Sequence, residues 1–147
     1  MSKRLIHSFE MKPVPQEHPL GCAVACVASL CGLSYQEALK LFEIPELAWI
    51  RGFYCSEIVQ ALARAELSYT FAEFDLSKIS EMLRQPGTIV FVSPNSRYPS
   101  GHFLLRLENG WMNPWSNFPQ MISVRADVED ALPGEVSYVV FVDTEAH

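Results

Sequence analysis

Gln16-Glu-His-Pro-Leu-Gly-Cys22 runs straight into Ala23-Val-Ala-Cys-Val-Ala-Ser-Leu30, and this stretch decides the fold. Residues 12 to 21 hold three prolines and a glycine, which predicts an extended loop. From Cys22 to Leu30 nearly every side chain is small or apolar, the pattern of a helix buried on most of its circumference, and Gly32 ends it. A thiol thus stands at the junction of loop and buried helix. The positive end of the helix dipole there is expected to lower its pKa and favour the nucleophilic thiolate.

Downstream of this helix, Ser34 with Glu37 forms a capping box that opens a second helix through about Phe42. Pro45 interrupts, and Ile58, Leu62 and Ala65 share the inward face of a helix that follows Gly52. Leu67 to Ala72 reads as a short strand. Asp75 is expected to cap a helix with Leu76, Ile79 and Leu83 turned inward, closed by Pro86-Gly87. The period then changes. Thr88–Val92, His102–Leu107, Met121–Val124 and Val136–Val142 are predicted strands, with Asn109-Gly110 as a hairpin signal leading into Trp111 and Met112. Helices first and a mostly antiparallel sheet second define the α+β class.

The chain has 147 residues, 49% of them hydrophobic and 19% charged, enough for one core without a staple. The expected organisation is therefore a single domain over residues 1–147. The four cysteines, at 22, 26, 31 and 55, form no Cys-x-x-Cys pair and suit reduced thiols in a cytoplasm better than disulfides or structural zinc. Cys26, Cys31 and Cys55 read as small buried hydrophobes. A convergence of His18, Cys22 and Cys26 on a metal is opposed by Pro19 and Gly21, so neither metal nor cofactor is expected. The start, Met1 to Glu10, lacks the apolar core of a signal peptide, and no apolar run reaches the ~20 residues of a membrane span. With a net charge of -6 and its 11 basic residues scattered, the chain offers no footprint for nucleic acid.

A thiol needs a base, and His102 in Gly101-His-Phe-Leu-Leu-Arg-Leu107 begins a strand that would hold an imidazole rigidly. With that ring in hydrogen-bond reach, the two groups could exist as thiolate and imidazolium. Asn113, in Trp111-Met-Asn-Pro-Trp115, lies across the hairpin turn and can accept from the other ring nitrogen, fixing tautomer and orientation. Gln16 and the backbone amide of Cys22 are candidate donors to a developing oxyanion. Trp49, Phe53 and Tyr54 are candidate walls of a substrate groove, although aromatic residues more often serve the core.

Gln16 with Cys22 six residues on, Gly101-His102-Phe-Leu-Leu on a strand, and Asn113-Pro114 together resemble the bacteriocin-processing cysteine peptidases, the double-glycine leader peptidase domains of the papain-like superfamily. The resemblance covers about residues 14 to 115. It implies a papain-like fold, a Cys22–His102–Asn113 triad, Gln16 as oxyanion donor, and a peptide or protein as the partner. That family usually carries Asp-Cys-Gly and Asp-Pro where this chain has Gly21-Cys22-Ala23 and Asn113-Pro114. Hydrolysis of a peptide or amide bond is the expected reaction. A catalytically silent binding module and an effector-type deamidase or transamidase are the alternatives.

Overall fold

The structure, a computed structural model, describes residues 10–76 and 80–145. Its element order is α1 (Cys22–Cys31), α2 (Tyr35–Leu39), α3 (Leu47–Ile50), α4 (Cys55–Arg64), β1 (Tyr69–Glu73), a 3-10 turn (Ser80–Arg84), β2 (Ile89–Val92), β3 (His102–Leu107), β4 (Gly110–Asn113), β5 (Asp127–Glu129) and β6 (Val136–Val142). The strands form one sheet in the order β1-β6-β2-β3-β4-β5, and each neighbouring pair is antiparallel. Helices precede the sheet in the chain, so the architecture is α+β as the patterning predicts.

Why α1 is the centre follows from its side chains. Every residue from Ala23 to Cys31 is buried, and the run of alanine, valine and cysteine lets the helix lie close to β3 and to α2 and α4. Gly32, with φ of 69°, ends the helix in the left-handed conformation that glycine adopts without penalty. Ser34 and Glu37 then exchange the two capping-box hydrogen bonds, at 3.0 and 2.9 Å. One core fills the space between helices and sheet, with Leu30, Ile58, Leu62, Ile89, Leu105 and Met112 fully buried in it. A second cluster covers the opposite face of the sheet, where Met82, Leu83 and Leu132 pack on Val90, Leu104 and Val139.

Several expectations are corrected. The segment Met121–Val124 is not a strand: Ile122 is 86% exposed and Ser123 has φ of 62°, which breaks extended backbone. Asn117 holds this loop through Ser123 O and the Arg125 amide, and the strand forms later, as β5. The second helix stops at Leu39, three residues short of Phe42. Leu76 is 70% exposed and does not face inward, while Ile79 lies outside the described residues. The hairpin turn proper is Glu108-Asn109, with Gly110 already paired to Leu107. Four-residue α3 has no amphipathic period long enough to read. It matters because Ala48 O accepts from Leu20 N at 2.9 Å and so anchors the loop that leads to Cys22.

That loop is fixed at its other end by Gln16 N donating to Pro114 O at 3.1 Å. Gly21 closes it, and a β-carbon there would overlap the hydroxyl of buried Tyr35, which is itself bonded to His18 Nδ1 at 2.9 Å. Gly21→Ala is therefore expected to cost about 1–3 kcal/mol of stability, the usual penalty of overpacking. Urea titration checks it, and adding Tyr35→Phe, which removes the overlapped oxygen, should recover part of the loss.

Candidate functional site

Gly21 is the N-cap of α1, and no side chain caps the helix or places an acid in its first turn. The first amides of a helix have no partner within it, so those of Cys22 and Ala23 remain available beside the thiol. The Cys22 thiol lies against them and against the backbone amide of Phe103. Cys22 is half-buried and faces a cavity of about 620 Å³ whose walls come from three regions. Pro19 and Leu20 come from the anchored loop, Gly52, Phe53 and Tyr54 from the entry to α4, and Tyr98 to Phe103 with Trp115 and Phe118 from the sheet side. Trp49 lies outside this lining and packs on His18 at 4.8 Å between ring centroids.

His102 opens β3 on the same cavity wall. Gly101 precedes it with φ of 77°, and a β-carbon there would sit 2.8 Å from Val92 O and overlap the Phe91 ring, so only glycine lets the chain deliver His102 at this point. The His102 ring is buried. It stacks on the Tyr98 ring at 4.0 Å with 3° between planes, and its Nε2 meets Asn113 Oδ1 at 2.8 Å. Asn113 is fully buried near the end of the β3–β4 hairpin and also accepts from the Trp115 amide at 3.0 Å.

Cys22 and His102 thus line one cavity, and His102 and Asn113 are directly bonded. Among the described residues no hydrogen bond joins the Cys22 thiol to the His102 ring. Gln16 is buried behind the cavity, where Nε2 donates to His18 O at 3.0 Å and Pro19 O at 3.2 Å, and its Oε1 has no partner. Both amide hydrogens are therefore occupied in shaping the loop.

Burial works against the expected ion pair. Burial pushes the Cys22 thiol up to about 11, and the backbone amides of Phe103, Ala23 and Cys22 offset only part of that rise. Burial likewise lowers His102 to about 4, against the upward pull of its Asn113 hydrogen bond and with a further downward push from Arg97. Burial thus favours the neutral thiol and the neutral imidazole, and the amides at the start of the helix offset only part of that at the thiol.

The lowered His102 value has a stability consequence. Below pH 6.5 an unfolded His102 takes up a proton that the folded one refuses until about pH 4, so stability falls as pH falls through that window. The expected loss between pH 7 and pH 4 is about 3 kcal/mol. Urea titrations at the two pH values should show it in wild type, and His102→Gln should flatten the difference.

The site thus combines an antiparallel sheet, a buried helix with a thiol at its start, and a histidine at the start of a strand on the same cavity. The chain is similar in structure to the peptidase domain of Streptococcus ComA, a bifunctional ABC transporter involved in a quorum-sensing pathway. That likeness has a TM-score of 0.59 at 18% sequence identity and covers 90% of this chain and 98% of that domain. No protein-family model and no curated protein sequence matches the chain. No helix of the described residues is long and apolar enough to cross a membrane. Among the described residues no disulfide joins the cysteines, and Cys26, Cys31 and Cys55 are buried.

Proposed function

We propose that the chain is a single papain-like domain that hydrolyses a peptide or amide bond through Cys22. The observation that carries this reading is the His102–Asn113 hydrogen bond at one side of a cleft whose other side is a helix-mounted thiol. Asn113 holds Nε2, which leaves Nδ1 as the nitrogen that can serve as base. Catalytic hydrogen bonds are commonly long in an empty site and tighten when substrate is bound.

In the proposed sequence the Cys22 proton passes to His102 as sulfur attacks the carbonyl carbon. Each charge alone is penalised by burial, but creating both together recovers about 4 kcal/mol at 4 Å with an effective dielectric constant of 20. The amides at the start of α1 donate to the oxyanion, joined by Gln16 if one of its hydrogens exchanges a loop carbonyl for the substrate oxygen. His102 then returns the proton to the leaving amine as the C–N bond breaks, and water hydrolyses the thioester. The apolar walls suit an extended peptide with small or apolar side chains near the scissile bond.

The neutral thiol and the engaged Gln16 amide favour one second reading, a papain-like module that binds a peptide in this cleft without cleaving it. Digestion of a random peptide library by wild type and by Cys22→Ala separates the two. Cleavage by wild type alone is expected. Retention of peptides by both proteins without a cut supports the binding module and overturns the hydrolase.

A further inference from the structure

Asn113 uses every hydrogen bond its side chain can make. Oδ1 meets His102 Nε2 and the Trp115 amide, while Nδ2 donates to Tyr98 Oη at 2.9 Å and to Glu129 Oε1 at 3.2 Å. A neutral amide can be turned end for end with little change of shape, so its neighbours decide which end faces the imidazole. Tyr98 gives its own hydrogen to Trp115 O at 2.6 Å and therefore accepts from Asn113. Glu129 is a carboxylate, which only accepts. Its other oxygen, Oε2, is held at 3.0 Å by Arg97, whose guanidinium lies over the Tyr98 ring at 5.1 Å.

Resting on the hydrolase reading above, we infer that Glu129, clamped by Arg97, is a positioning residue that fixes the Asn113 amide and through it the His102 tautomer with a bare Nδ1. The chain of compulsion is short. Glu129 and Tyr98 require Nδ2 on their side and the Trp115 amide requires Oδ1 on the other, so Oδ1 faces the ring. An acceptor facing Nε2 requires the proton there, which leaves the Nδ1 lone pair for the thiol. The same contact explains the amide at position 113: an aspartate there would set a second carboxylate about 3 Å from Glu129, and two such groups cannot both ionise.

The test is nitrogen NMR of the histidine side chains in the intact chain at neutral pH, which reads the tautomer without any substrate. Wild type and Glu129→Gln, which still offers an acceptor, are expected to hold His102 with its proton on Nε2. Glu129→Ala should shift the tautomer ratio by about tenfold towards Nδ1–H, the equivalent of one lost hydrogen bond, and lower kcat with little change in KM on a cleaved peptide. An unchanged tautomer ratio in Glu129→Ala overturns the inference. Should that variant not fold, Asn113→Asp provides the second reading. It is expected to be less stable at neutral pH and to be restored by adding Glu129→Gln, and equal stability with and without the second change overturns the inference as well. Failure of every peptide to be cut would sink the hydrolase and leave the tautomer result standing, so the two failures are distinguishable.

Discussion

Cys22→Ala is expected to lower turnover of any peptide that wild type cleaves by at least about ten-thousandfold, and His102→Ala by a similar factor. The sulfur forms the covalent bond to the acyl carbon, so no residue in the cleft can substitute for it: Cys26 and Cys31 are buried in the core. Among the described residues His102 has no replacement either, because His18 is committed to Tyr35 through Nδ1 and packed on Trp49. Since thiol and imidazole act on one proton, the double variant should cost little more than either single one, whereas independent roles would multiply. Steady-state kinetics on one library-derived peptide would decide it. A Cys22→Ala protein that retains a tenth of the activity would place the chemistry elsewhere.

What the sequence made legible is whatever depends on neighbours within a few positions. The α1 run of small apolar residues, the Ser34–Glu37 capping box and the β-branched or alternating runs of β2, β3 and β6 are local patterns, and each forms near its expected bounds. The His102–Asn113 bond was legible too, because a two-residue turn brings paired strands together. Tyr98 and Glu129 were not. They reach Asn113 across 15 and 16 residues, from a loop and from a strand whose three residues are too few for alternation to be read. The loop carbonyls that hold the Gln16 amide were not legible, because spacing from Cys22 says nothing about which carbonyls the loop turns towards it. Ionisation is hard to read for a related reason: helix polarity is visible in a sequence, but the depth at which a largely apolar cleft buries sulfur and ring is a property of the assembled walls.

That last difference gives the second large effect. Iodoacetamide reacts with thiolate, so a thiol raised from its ordinary value of 9.0 to about 11 should be alkylated about 100-fold more slowly at pH 8 than the same cysteine in the urea-unfolded chain. The rate should climb about tenfold per pH unit through pH 10, as expected for a group titrating above that range. Mass spectrometry must locate the label on Cys22, because Cys55 is raised to about 11 as well and would otherwise blur the profile. His102→Ala should leave the profile near neutrality almost unchanged, since an imidazole held near 4 carries no charge there to stabilise the thiolate. The opposite result, a transition below pH 7 that moves upward in His102→Ala, would mean that the thiolate–imidazolium pair already exists in the free protein. Attraction between the two charges would then outweigh their burial before any substrate arrives. With the expected profile, activation belongs to the moment of binding: a substrate carbonyl entering between the α1 amides and His102 supplies the acceptor that makes proton transfer from sulfur productive.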